Sequence, residues 1–269
     1  MLECVVNVSE GRRPAVIDAL VGAAGRGLLD LHCDEYHHRC VLTVAGSTTE
    51  MAVREVAIQA VKLIDLRRHR GAHPRIGVLD VVPFVTLDAD VDLAMAARDD
   101  FARWASQGLG LPCFLYGPER SLPEVRRGAF STLAPDMGPT RPHPTAGAVA
   151  VGARPPLVAY NLWLAGRDVG MAREMAALLR STFSAGDGSG VRALGLDVGG
   201  VAQVSCNLLD PTRVGPDQVY DAVAARTAIA RAELVGLVPA AVLAGIPEAR
   251  WDQLDLGAER TIEGRLACL

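Results

Sequence analysis

LLDLHCDEYHHRCVLTVAG, residues 28–46, reads as an apolar run, a polar turn and a second apolar run. Residues 28–31 and 40–45 fit two strands, with HCDEYHH as the turn between them. Upstream, residues 2–8 form a short apolar strand. Pro14 then stands at a natural first helical position, before an apolar stripe that continues to residue 24. Downstream, Ser47 or Thr48 is placed to cap a helix reaching about residue 64, with Val53, Val56, Ala57, Ala60 and Ile64 on one face. A last apolar run, residues 78–85, closes the series. The order is β-α-β-β-α-β, the split βαβ or ferredoxin-like motif.

The order recurs later in the chain. Residues 157–164 are strand-like and 169–179 have helical spacing. Residues 191–196 and 201–208 flank the hairpin signal Asp197-Val198-Gly199-Gly200. Residues 215–226 are helical, and 228–238 are again apolar. We therefore expect an α/β (α+β) protein of two ferredoxin-like βαββαβ subdomains, residues 1–164 and 165–269. Residues 91–106 (helix), 112–116 (strand) and the Pro/Gly-rich stretch 134–144 lie between the repeats. That stretch is long enough to be a functional loop.

Composition narrows the function. Of 269 residues, 50% are hydrophobic, 4% aromatic and 22% charged, and the formal charge is -4. No basic run with interleaved aromatics suggests a nucleic-acid groove. No signal-peptide layout or membrane-length apolar stretch is visible, so no membrane partner and a cytoplasmic location are expected. The six cysteines contain no CxxC and read as buried thiols. Lys62 is the sole lysine, which leaves Schiff-base chemistry one poor candidate.

The most informative stretch for chemistry is GAHPRIGVLDVVPF, residues 71–84. Pro74 holds His73 extended, and an imidazole with a pKa near 6.5 can take and return a proton at neutral pH. Arg75 offers a planar fork suited to a carboxylate. The alternatives are that His73 bonds loop backbone and that Arg75 pairs with Asp80. In residues 32–40, three imidazoles, two thiols and two carboxylates invite a zinc reading, but no pair has the usual ligand spacing, and no metal is expected. A solvated or substrate-facing turn remains. The run 141–154, RPHPTAGAVAVGAR, has small residues that permit close approach either by a ligand or by packed protein. ELVGLVP, residues 233–239, reads as core, with Gly236 hinting at a close approach.

These blocks together resemble the formiminotransferase family. The likeness runs through ECVVNVSEG (3–11), residues 28–46, RHRGAHPRIGVLDVVPF (68–84), LPCFLYG (111–117), GAVAVGARPPLVAYNLWL (147–164), VAQVSCNLLD (201–210) and ELVGLVP. The resemblance implies transfer of a formimino group from N-formimino-L-glutamate to tetrahydrofolate in histidine degradation and one-carbon metabolism. It also implies a ligand cleft between the two ferredoxin-like halves, with tetrahydrofolate as co-substrate, and a homodimeric, stand-alone transferase. It places the catalytic proton shuttle on His73. The folate-contacting segment falls on Gly147, Ala148, Val149, Ala150, Val151, Gly152, Ala153 and Arg154. Asp34, Arg39 and Arg75 are candidates for holding the substrate. The competing readings are a folate-binding paralogue with little transferase activity and a related formyl transferase.

Overall fold

The computed structural model describes residues 1–71, 74–87, 90–184 and 190–269. The chain divides into two compact units, Met1–Arg154 and Pro155–Leu269.

The first unit is built from β1 (Leu2–Val8), α1 (Pro14–Ala24), β2 (Leu28–Asp34), β3 (Arg39–Ala45), α2 (Thr49–Leu63), β4 (Leu79–Thr86), α3 (Val91–Gly108), β5 (Cys113–Tyr116), α4 (Leu122–Gly128) and β6 (Val149–Ala153). Its strands are ordered β2-β3-β1-β4-β6-β5. The first four positions are the ferredoxin-like order, with β3 antiparallel to both β1 and β2 and β4 antiparallel to β1. Strand β6 lies parallel between β4 and β5 and widens the sheet. Both faces of the central strands are covered, which is why β4 and β6 are buried along their whole lengths instead of alternating. One core joins Leu42, Val44, Val53, Val56, Phe84 and Phe101, and a smaller one on Phe114, Val125 and Ala150 seats α4.

The second unit contains β7 (Val158–Leu164), α5 (Val169–Thr182), β8 (Val191–Val198), β9 (Val201–Leu208), α6 (Pro216–Ala224), β10 (Ile229–Val235), α7 (Ala240–Ala244) and α8 (Ile262–Leu266). Its sheet, β10-β7-β9-β8, is antiparallel throughout and has the same ferredoxin-like order. Gly199 and Gly200, both at positive φ, turn the β8–β9 hairpin. Tyr160, Leu162, Met175, Leu179, Val204 and Leu234 form its core.

Several expectations shift. The strand β7, placed before a boundary at residue 164, pairs with β9 and β10, and the compact units part ten residues earlier. Strand β2 runs on to Asp34, because its pairing with β3 continues through Cys33↔Cys40 and Asp34↔Arg39. Thr48 occupies the cap position of α2 without a side-chain bond, whereas the Thr49 hydroxyl donates to the Gly46 carbonyl oxygen (2.8 Å). The cysteines are not all buried thiols. Cys33 and Cys40 face each other across β2 and β3 and form a disulfide. Cys4, Cys113 and Cys206 are buried and free, while Cys268 is exposed. Among the described residues no helix is long and apolar enough to cross a membrane.

Candidate active site

The ferredoxin-like order decides which loops meet. Strands β1 and β2 end, and β3, β4 and β6 begin, at one edge of the first sheet. The segments there are residues 9–13, the β2–β3 turn, the run before β4 and the run before β6. Segments far apart in sequence thus share one rim.

Glu10 follows β1 and is fully buried. Its Oε1 accepts the backbone N–H groups of Gly11 (3.0 Å), Arg12 (2.9 Å) and Arg13 (3.0 Å), and its Oε2 accepts from the Arg13 Nε (2.5 Å). Burial by itself raises the carboxyl pKa, but the two backbone donors at Arg12 and Arg13 and the Arg13 guanidinium outweigh it, so the pKa lies below its ordinary value. Glu10 is a fixed anion.

The β2–β3 turn is closed by the Asp34 carboxylate, which accepts the His37 N–H at 2.6 Å. Asp34 therefore has a turn-forming role. Arg12 ties the same turn down by donating to the Glu35 carbonyl oxygen (2.7 Å). Gly71 is pressed against this turn. A Cβ there would stand 2.5 Å from the His37 carbonyl oxygen and 2.7 Å from the His38 Cβ, so only glycine allows the approach.

His73 lies outside the described residues, but the backbone on either side is held at three points. Arg75 Nη2 donates to the Gly71 carbonyl oxygen (2.9 Å) and, more weakly, to that of His37 (3.5 Å). Arg126, from α4, donates to the Pro74 carbonyl oxygen (2.9 Å). Asp80 accepts the Ile76 N–H (2.8 Å) while pairing with Arg126 at 2.7 Å. Asp80 is buried; it pairs with Arg126 and also acts electrostatically on Arg75. Arg75 also contacts the ring of the buried His69 through Nη1.

Four guanidinium groups crowd this rim. Burial lowers the Arg39 pKa to about 10, opposed by Asp80, with Arg126 and Arg75 adding to the lowering. Burial likewise lowers the Arg75 pKa, opposed by Asp80, while Arg12 and Arg126 lower it further. Such mutual repulsion among cations marks a place that favours an anion.

A cleft of about 410 Å³ opens beside the segment. Leu66, Ile76, Phe130, Pro142, Pro144 and Gly147 give it apolar and backbone walls, and Arg67, Arg126 and His143 line it as polar groups. His143 Nδ1 accepts the N–H of Ala146 (3.0 Å) and of Thr145 (3.3 Å). Gly147 has φ +72, and a Cβ there would meet the Ile76 carbonyl oxygen at 2.3 Å. Of the eight residues 147–154, Gly147 lines the cleft. Ala148, Val149, Ala150, Val151 and Ala153 are buried in the two cores, and Gly152 lies against the Tyr116 ring. Arg154 follows the far end of β6, where it opposes the burial that pushes the Tyr116 pKa to about 12. Residues 149–153 of this run form β6, which pairs with β4 on one side and β5 on the other.

Sequence reasoning found Arg75 and Arg39 here but missed Glu10, His69 and Arg126. A charged residue at the end of an apolar strand, as in VNVSEG, is the one local sign that pointed to Glu10. Among the described residues, no group of three or more His, Cys, Asp or Glu side chains could hold a metal.

Residues 1–154 match the model of the formiminotransferase domain, N-terminal subdomain. The chain belongs to the formiminotransferase family. The matched stretch ends at Arg154, where the first compact unit also ends. Over 279 residues the chain is 35% identical to a glutamate formimidoyltransferase of Streptococcus pyogenes serotype M1, covering 92% of each. Over 270 residues it is 32% identical to a glutamate formimidoyltransferase of Thermoplasma acidophilum, covering 89% of this chain and 88% of the other. It is also 36% identical over 274 residues to the formimidoyltransferase-cyclodeaminase of Gallus gallus. That alignment covers 89% of this chain but 50% of its longer relative. The similarity to family members therefore extends through both units.

Proposed function

We propose that this member of the family transfers the formimino group of N-formimino-L-glutamate to tetrahydrofolate, and that the rim of the first sheet is where it does so. The observation that carries this reading is the arginine cluster, Arg12, Arg39, Arg75 and Arg126, around the backbone on either side of His73. A donor with two carboxylates needs cations that are held in place, and guanidinium forks bind carboxylates bidentately. The apolar walls of the adjacent cleft, with Arg67, Arg126 and His143 at its margin, suit a flat heterocycle carrying polar edges.

The bond changes define what the protein must supply. The folate N5 attacks the formimino carbon, giving a tetrahedral intermediate. The bond from that carbon to the glutamate nitrogen then breaks. One proton leaves N5 and one reaches the departing nitrogen, so nothing is oxidised or reduced. A single imidazole can take the first proton and deliver it to the leaving group, and His73 is our candidate for that role.

The reading is tested by mixing the purified protein with formiminoglutamate and tetrahydrofolate, with the acid conversion of the product to its methenyl form as readout. Wild-type turnover should fall by about 10²–10⁴-fold in His73→Ala with the fold retained. Equal turnover by the two proteins would refute the assignment of His73. Product from a formyl donor but not from the formimino donor would refute the reaction.

A further inference from the structure

Four side chains at the rim form a line: Arg75, His69, His38 and Glu10. Arg75 Nη1 contacts His69 Nδ1, and His69 Nε2 contacts His38 Nδ1. His69 Nε2 also lies 3.1 Å from the His38 carbonyl oxygen, and His38 Nε2 lies 3.4 Å from Glu10 Oε1.

The chemistry of the end groups fixes every hydrogen between them. A guanidinium only donates, so His69 Nδ1 must accept and carries no hydrogen. A carbonyl oxygen only accepts, so His69 Nε2 must be the N–H. These are independent arguments for one neutral tautomer. The His69 N–H then faces His38 Nδ1, which must also accept. The remaining hydrogen of His38 sits on Nε2, facing the Glu10 carboxylate. Glu10 is an anion held by backbone N–H groups and Arg13, so it can receive it.

We propose that Glu10, His38 and His69 form a one-directional hydrogen-bond chain that positions Arg75, and with it the backbone beside His73, only while both imidazoles are neutral. The proposed positioning role rests on the transferase reading above. The chain itself does not. Protonating His69 would set an Nδ1–H against the Arg75 N–H groups and break the contact. The charges facing the pair are Arg75, Arg12 and Arg13 on the cationic side and Glu10 on the anionic side. Burial lowers the His69 pKa to about 4, with Arg75 and His38 adding to the effect and Glu10 opposing it. Burial also lowers the His38 pKa, although Glu10 opposes it there too.

The direct test is long-range proton–nitrogen NMR on the full chain labelled with ¹⁵N-histidine, near pH 7.5. His69 and His38 should both appear as neutral imidazoles bearing hydrogen on Nε2. Either one protonated, or with hydrogen on Nδ1, would overturn the chain whether or not the protein turns over. The positioning role is tested by the pH profile of kcat/KM in two variants. His38→Leu removes the acceptor for His69 and should move the acid limb up by at least one pH unit. His38→Gln keeps an acceptor and a donor within reach and should hold that limb within half a unit of wild type. Identical limbs in the two variants would overturn positioning. Absent turnover in every form, with both tautomers as stated, would leave the chain standing and fail the reaction assigned above.

Discussion

At the scale of single residues, Asp80 carries a role that its place in an apolar run concealed. It accepts from the Ile76 N–H and from Arg126 at once, so it joins the start of β4 to α4 across the backbone near His73. Asp80→Ala leaves Arg126 without this carboxylate and the Ile76 N–H without its acceptor. The expected destabilisation is about 3 kcal/mol, read from a urea midpoint, because a buried pair is costly to break from one side. Asp80→Asn keeps an acceptor for Ile76 and should cost less stability while still weakening turnover. Equal stability loss in both variants would show that the backbone bond contributes little. Arg75 was legible in sequence as a carboxylate-binding cation, but its contact with His69 was not. Asp80, five residues away, does act electrostatically on Arg75, and the side chain also reaches His69 and the β2–β3 turn.

At the scale of elements, the hairpin that opens the fold also carries the rim. Its strands were readable because apolar runs and a polar turn are local signals. What lies across it was not, since the approach of His69 to His38 spans 31 residues. Gly71 is the residue that lets the two segments touch. Gly71→Ala puts a methyl against the His37 carbonyl and should lower turnover at least tenfold while moving the melting temperature only a few degrees. Turnover within twofold of wild type would show that the approach is dispensable. The disulfide closes the same hairpin over a separation of seven residues. On a chain-entropy account, a loop this short contributes about 2–3 kcal/mol. Reductant should therefore lower the melting temperature, and Cys33→Ser with Cys40→Ser should give the same lowered value with or without reductant. The scattered cysteines gave no sign of this pairing, because register across strands is not a spacing in sequence.

At the scale of the whole molecule, the two βαββαβ repeats were readable from element order alone, and each forms its own sheet and core. The widening of the first sheet was not readable. Strand β6 inserts between β4 and β5, so the small residues after Gly147 fill the sheet interior, and a motif-level likeness could not separate packing from ligand contact. The rim also gives the protein a pH dependence. His69 titrates at about 4 when folded, against about 6.5 for an ordinary histidine. Between those values the unfolded chain binds a proton that the folded chain does not, so stability falls as pH is lowered through that window. Glu10 acts in the same sense. Its carboxyl is depressed, so its contribution is present above the ordinary carboxylate range and is lost as pH falls through its lower folded pKa. Urea midpoints should therefore drop steadily from pH 7 to pH 4. A flat profile would contradict the His69 assignment.

The proposed reaction requires the rim arginines to hold the carboxylates of the donor. Steady-state kinetics of Arg75→Met, with formiminoglutamate and tetrahydrofolate each varied at saturation of the other, test it most directly. Loss of a charge-assisted hydrogen bond of about 1.5–3 kcal/mol should raise the KM for formiminoglutamate by about 10–100-fold. The KM for tetrahydrofolate should stay within about threefold of wild type. An unchanged KM for the donor, in a protein that still turns over, would contradict the claim.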